Sequence, residues 1–370
     1  MATILYFSKD YTPHDHRFLS ALAGTKHRVA YLRLERGPRQ TEDRPVPERI
    51  EEIPWEGGRR AAKLSDGPRL LLGLRRVLRT VKPDLVHAGP IQTCGLLAAL
   101  AGFRPLLVMS WGFDLMQDSE RSAWWRRATA YTLRRATVFT SDCEVTRRKA
   151  LAYGVPADRT VVFPWGVDLE HFKPQDGGTG ERDDGFTVFC SRSWEPRYGV
   201  DVLARAFVLA ARRCPDLHLL LLGGGSQATA IHRILEQGGV ADRVTFAGQV
   251  SQADLPRYYH MADVYVSPSH VDGSSVSLME ALACGLPCLV SDIPANLEWV
   301  TDGGNGWLFP DGDAEGLEAA LLNAYAKRKA LASVGRAARS VAEKKADWNK
   351  NFQKLLEAYA LAFRLERPQA

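Results

Sequence analysis

The chain has 370 residues, too many for one ordinary domain and suited to two of roughly 100–200 residues each. Its net charge of +5 is uneven: residues 1–170 hold 27 Lys and Arg against 19 Asp and Glu, and the remainder 21 against 24. The basic half therefore meets something anionic, a phosphorylated substrate or an anionic membrane surface, while the lack of an aromatic-studded basic motif excludes nucleic acid. No run of about 18 uncharged apolar residues marks a membrane span. The opening MATILYFSKDYTP lacks a signal peptide's basic and apolar regions, and six scattered cysteines without a C-x-x-C pair argue against a disulfide frame or a zinc site. The expected location is the cytoplasm, with peripheral contact at the inner face of the membrane.

In chain order, short apolar runs alternate with helical spacing. Strands are expected at 3–8, 27–34, 84–88, 105–110, 136–141 and 160–164, then at 186–191, 217–223, 243–248, 263–268 and 287–292. Helices are expected at 16–23, 69–80, 91–101, 121–135 and 144–153, then at 200–213, 228–237, 253–261, 275–284, 315–325 and 348–365. Val/Ile/Leu strands alternating with helices mean parallel sheets covered on both faces. The Gly-, Pro- and charge-rich stretch 163–185 interrupts the pattern and reads as a linker. The expected fold is α/β, with two doubly wound, Rossmann-like domains facing a cleft. Residues 1–170 form the first domain, 171–345 the second, and 346–370 a helix packing back on the first. Ligands in such sheets bind at the carboxyl ends of strands.

The densest chemistry is VDGSSVSLMEALACGLPCLVSD, Val271–Asp292. A strand leads into a turn. Ser274 or Ser275 caps the following helix, and Gly285 and Pro287 end it. Gly273 allows close backbone approach. The helix start, with Val276 and the hydroxyls of Ser274, Ser275 and Ser277, forms an anion site fit for a diphosphate. Phosphate repels a carboxylate, so Glu280 serves another part of the ligand, and a ribose diol is the natural partner. Asp272 lies across the anion pocket, where a sugar attached through the diphosphate would be. A capped helix with a solvated acid is the bland alternative.

Asp272-x7-Glu280, Ala283-Cys284-Gly285-Leu286-Pro287, Ser291-Asp292 and Asn305-Gly306-Trp307-Leu308 follow one another as in the retaining GT-B glycosyltransferases of family four, which this chain resembles over nearly all of residues 160–330 and more weakly before them. Trp165-Gly166-Val167-Asp168…Phe172-Lys173-Pro174 resembles that family's linker, with Trp165 in place of its Asn. Ser191–Asp201 resembles its basic loop. The resemblance implies that Glu280 holds the nucleotide ribose, that Asp272 contacts the donor sugar although it is one methylene shorter than the usual Glu, and that Arg192 and Arg197 clamp the diphosphate. Tyr198 intervenes where a Lys-Gly pair is common. Gly224 belongs to a tight turn near the donor. In the first domain, Trp111-Gly112-Phe113-Asp114 resembles the family's H-G-x-D, with Trp111 where the His stands. Asp114 then orients a reacting group or holds a structural turn. His14, Asp15 and His16 follow the first strand. They are read as acceptor or sugar contacts, with Asp15 alternatively a helix cap.

The function these features imply is transfer of a sugar, with retention, from a nucleoside diphosphate sugar (UDP-linked by expectation) to an acceptor hydroxyl. The acceptor is a saccharide or a lipid-linked saccharide, as in polysaccharide or glycolipid assembly. The nucleotide sugar is a co-substrate, and neither a further cofactor nor a metal is expected. The leaving diphosphate serves as base for same-face attack. The basic, aromatic segment 119–136 offers peripheral membrane contact. Two rival readings are an NAD-dependent dehydrogenase, from Gly223-x-Gly225-x-x-Ala228, and a sugar-nucleotide 2-epimerase.

Overall fold

Strand runs such as Ile4–Phe7 and Leu219–Leu222 are apolar at every position because helices cover both sheet faces. The computed structural model describes residues 1–37, 42–175 and 185–366. Of the expected linker, residues 176–184 lie outside the described residues, as do 367–370 of the C-terminal segment.

The chain divides into two compact units, Met1–Phe163 joined by the segment from Phe352, and Pro164–Asn351. The first contains β1 (Thr3–Ser8), α1 (Pro13–Ala23), β2 (Arg28–Arg33), β3 (Ile50–Glu52), α2 (Gly67–Val81), β4 (Leu85–Gly89), α3 (Leu96–Ala101), β5 (Leu106–Met109), α4 (Phe113–Met116), α5 (Ala123–Arg135), β6 (Val138–Ser141), α6 (Glu144–Ala152) and β7 (Thr160–Val162). Its parallel sheet runs β3-β2-β1-β4-β5-β6-β7. Alternate residues point to opposite faces. Leu5, Phe7, Val86, Ala88 and Val108 meet α2, α3 and α5 in one core. On the other face Tyr6 packs against Phe18 of α1 and against His87.

The second unit contains β8 (Phe186–Cys190), α7 (Val200–Ala211), β9 (Leu217–Leu222), α8 (Ala228–Gln237), β10 (Val244–Gly248), α9 (Leu255–His260), β11 (Val264–Ser267), α10 (Val276–Ala283), β12 (Cys288–Ser291), α11 (Pro294–Leu297), β13 (Gly306–Phe309), α12 (Ala314–Ala326) and α13 (Leu331–Lys345). Its parallel sheet runs β10-β9-β8-β11-β12-β13. Val188, Leu219, Leu221 and Val266 face α7, α8 and α12, while Phe189, Leu220, Tyr265 and Val290 face α10 and α13.

α14 (Trp348–Glu366) begins in the second unit and, from Phe352, belongs to the first. There the Tyr359 hydroxyl lies 2.8 Å from His87 Nδ1. The units divide at 163/164 and 351/352, a few residues from the expected 170/171 and 345/346. Five elements escaped the sequence reading: β3, β13, α13 and the four-residue helices α4 and α11. The expected helix at 91–101 opens with a π-turn at Ile91–Gly95 before α3.

Candidate functional site

In each sheet the strand order reverses beside the unit's first strand, and the crevice outside the carboxyl ends there is where a doubly wound sheet takes a ligand. In the second unit the reversal lies between β8 and β11. Three loops meet there: 191–199 after β8, 223–226 after β9, and 268–275 after β11. Their contact leaves no room for side chains at two glycines. A Cβ on Gly199, whose φ is +60°, would sit 2.1 Å from the Pro268 carbonyl oxygen, and one on Gly225 would sit 2.4 Å from that of Trp194. Trp194 N–H donates to the Gly224 carbonyl (3.0 Å), and His270 N–H donates to that of Arg197 (2.9 Å).

Arg192 is the hub. Its side chain, 10% exposed, forms an ion pair with Asp272 at 2.6 Å, and Asp272 is 17% exposed. Nη1 donates to Ser275 Oγ (2.7 Å) and Ser277 Oγ (3.1 Å). The guanidinium stacks on the Tyr198 ring at 4.2 Å. Nε has no hydrogen-bond partner among the described residues, which leaves one donor of a buried cation unmatched there. Burial alone disfavours the charged guanidinium, but the Asp272 carboxylate beside it holds it protonated above its ordinary value. Burial pushes the Asp272 carboxyl up, and Arg192 opposes that rise. Arg197 lies near enough to pull the same carboxyl down.

α10 begins where the sequence places it. Ser275 caps it, its hydroxyl accepting from Leu278 N–H. Its end is a Schellman turn: Leu286 N–H donates to the Ala281 carbonyl and Gly285 N–H to that of Leu282, with Gly285 at φ +71°. Gly273, Ser274, Ser275, Val276 and Ser277 line up at this N-terminus, beside the Arg192 guanidinium. Glu280, buried one turn further on, accepts from the Tyr259 hydroxyl (2.9 Å) and Gln252 Nε2 (3.2 Å). The same Tyr259 hydroxyl approaches the Ser277 carbonyl (3.0 Å), and Tyr265 donates to Ser277 Oγ (2.8 Å). The structure thus gathers Arg192, Asp272, Ser275 and Ser277 into one polar cradle, with Glu280 joined to it through Tyr259. Gly224 lies on the adjoining loop. Sequence reasoning noted Tyr198 without its stacking on Arg192, and missed Tyr259, Tyr265 and Gln252. The only signal of the three tyrosines was a polar tip on an otherwise apolar or basic stretch.

The first-unit residues collect at its own reversal, between β1 and β4. His14 and Trp111 face each other with ring centroids 6.1 Å apart. For two residues the geometry favours one of the readings left open by the sequence. Asp15 is fully buried and forms a capping box with Thr12 while accepting from the Tyr6 hydroxyl (3.1 Å), so of its two readings the geometry fits the helix cap. Asp114 is also fully buried. It accepts from Ile91 N–H (2.9 Å), Trp111 N–H (3.0 Å), Leu115 N–H (2.8 Å) and Ser110 Oγ (2.7 Å), so of the two readings its geometry fits the structural turn. Burial pushes both carboxyls up to about 6 against these donors. His16 Nδ1 is held 2.8 Å from the Tyr11 hydroxyl, and burial lowers its basicity. The dinucleotide reading of Gly223–Ala228 also fails on geometry. The turn follows the unit's second strand, and Gly225 is backed onto Trp194. Among the described residues, no three His, Cys, Asp or Glu side chains gather as a metal site.

Residues 14–171 match the family described as Glycosyltransferase Family 4, and residues 172–341 match that described as Glycosyl transferases group 1. A GDP-mannose-dependent alpha-(1-6)-phosphatidylinositol monomannoside mannosyltransferase of Mycolicibacterium smegmatis is 30% identical over 305 residues, 76% of this chain and 76% of that one. A phosphatidyl-myo-inositol mannosyltransferase of the same organism is 37% identical over 166 residues, 44% of this chain and 42% of its own. Two solved structures share the fold. Sucrose-phosphate synthase from Thermosynechococcus elongatus has a TM-score of 0.82 at 19% identity, covering 98% of this chain and 100% of that one. Anabaena HepE in complex with UDP has a TM-score of 0.77 at 18% identity, covering 97% and 99%. The two matched segments run almost end to end across the paired Rossmann-like units, and with the mannosyltransferase relative they make this chain a GT-B glycosyltransferase, a member of glycosyltransferase family 4.

Proposed function

We propose that the chain moves a hexose from a nucleoside diphosphate sugar to a hydroxyl of a lipid-borne acceptor, with retention and without a metal. The observation that carries this reading is the cradle of Arg192, Ser275 and Ser277 at the α10 N-terminus. A buried guanidinium and a helix start offer fixed positive charge to a leaving diphosphate without reorganisation. In this reading Arg192 and Arg197 take the diphosphate, Glu280 takes the ribose and Asp272 takes a sugar hydroxyl. The anomeric C–O bond breaks toward the diphosphate. The acceptor oxygen bonds the same face of the sugar, and its proton passes to the departing phosphate oxygen.

For the donor, the 30%-identical relative named for GDP-mannose supports a GDP-linked mannose first. A UDP-sugar, the expectation from sequence, is the second reading, supported by the UDP held in the HepE fold. The inositol lipids named for the relatives support a phosphoinositide-type acceptor. The test is a thermal-shift panel with GDP, UDP, ADP, dTDP and NAD, followed by transfer assays with the selected donor and NMR of the product anomer. A selective rise with one nucleoside diphosphate is expected. Glu280→Ala should lose that rise and cut transfer at least about 100-fold with the fold intact. Near-native transfer by that variant would overturn the site assignment, and an inverted anomer would overturn retention.

A further inference from the structure

α2, α3 and α5 form a continuous outer surface on one face of the first unit. They lie in the crossovers β3 to β4, β4 to β5 and β5 to β6, which all step the same way along the sheet, so right-handed connections place all three helices on one face. α3 packs between α2 and α5, and Leu70, Leu74, Ala98, Ala99 and Leu133 join a single core beneath them. No Asp or Glu occurs in the three helices, whereas α2 and α5 carry four arginines each. Arg69 and Arg76 are paired with Asp66 and Glu56. Arg75, Arg79, Arg126, Arg127, Arg134 and Arg135 are exposed and have no ion-pair partner among the described residues. A groove of about 700 Å³ runs beside α5, lined by four of these arginines together with Tyr131 and Tyr153. Between the cations stand large exposed side chains: Leu72 (57%), Leu100 (41%), Trp124 (47%) and Tyr131 (40%).

We propose that this face docks the protein on an anionic phospholipid bilayer, with its arginines against headgroup phosphates and Leu72, Leu100, Trp124 and Tyr131 in the headgroup–acyl boundary. Charge alone would suit any polyanion. The exposed leucines decide for lipid, since they gain only where an apolar layer lies beneath the phosphates. The 119–136 segment supplies one helix of this surface, and the fold adds α2 and α3. Docking needs no donor and no turnover, so this proposal and the transfer reading can fail separately.

The experiment is flotation of the purified full chain with vesicles of phosphatidylcholine, with and without phosphatidylglycerol. Binding should appear with phosphatidylglycerol, be absent with phosphatidylcholine alone, and vanish at high salt. Arg79→Glu/Arg127→Glu/Arg135→Glu should lower partitioning by at least about tenfold, each basic residue near the surface contributing about a factor of five. Trp124→Ala, which leaves the charge intact, should weaken it as well. The control Arg233→Glu/Arg257→Glu/Arg336→Glu changes net charge equally on exposed positions of the second unit and should bind as the parent does. Circular dichroism and the nucleoside diphosphate thermal shift report the fold of every variant. Equal binding to both vesicle types, equal loss in the control, or tighter binding to duplex DNA than to the anionic vesicles would each overturn the proposal.

Discussion

Arg192 has a carboxylate partner, Asp272, with which a diphosphate would compete in the proposed reading. At 2.6 Å, Asp272 neutralises the cation on which a diphosphate would depend. The pair is therefore a competitor of the phosphate as well as a support for the loop. Asp272→Asn should bind bare nucleoside diphosphate at least as tightly as the parent, because the guanidinium is released, while transfer falls at least about 100-fold. Arg192→Ala should weaken the same nucleotide by at least about tenfold and cost up to about 3 kcal/mol of stability, since it strands a mostly buried carboxylate. Calorimetric titration and steady-state rates separate the two variants. If Asp272→Asn lost affinity and rate in proportion, Asp272 would be scaffold only. Asp272 and Glu280 were legible because they bracket one helix start in sequence. The partnership of Arg192 with Asp272 was not, because 80 positions separate them and only the sheet brings them together. Nor could sequence tell a reacting Asp114 from one saturated by three backbone N–H groups and a serine, since both begin as an acid after a glycine.

The elements themselves were read well where burial is two-sided. β1 and β8 to β12 announce themselves as apolar runs between turn residues. The missed ones have physical causes: α4 and α11 are four residues each, too short to show a helical period. α13 turns a stripe of Gly335, Ala338 and Ala342 inward, residues too small to raise the apolar periodicity above its many charges. β3 has three residues, two of them exposed acids on a sheet edge, and β13 hides behind the glycines at 303–306. At this scale the close packing of loops yields a sharp test. Gly199→Ala adds a methyl 2.1 Å from the Pro268 carbonyl at a positive φ. The expected cost is about 1–3 kcal/mol, read as a lower thermal midpoint. Weaker nucleotide binding should accompany it, because the Arg192 loop must retreat from the 268–275 loop. A variant that melts and binds like the parent would mean that the loops yield freely.

Over the molecule as a whole, α14 ties a late segment into an early sheet. His87 and Tyr359 are both buried, and their hydrogen bond closes that attachment. Tyr359→Phe leaves His87 Nδ1 unmatched, an expected loss of about 1–3 kcal/mol. Burial lowers the His87 pKa to about 3, so the folded protein keeps it neutral where the unfolded chain, at about 6.5, takes up a proton. Its contribution to stability is therefore complete above pH about 6.5 and is lost progressively as the pH falls toward 3. Thermal melts between pH 8 and 5 should show it, and His87→Phe should flatten that part of the profile. An unchanged slope would place the titration elsewhere. The two-unit architecture was readable from the alternation of elements, but this core histidine's partner, 272 residues away, was not.

The route of the chain also sets an order of assembly. Residues Pro164–Asn351 form an uninterrupted stretch that can close on itself as it leaves the ribosome. The unit that begins the chain cannot finish until Tyr359 has been synthesised, because one face of its sheet waits for α14. Domains generally complete in the order in which they are made. Here the order is inverted: the part translated first is completed last, and until then the nascent chain leaves the His87 face of its sheet without the Tyr359 helix.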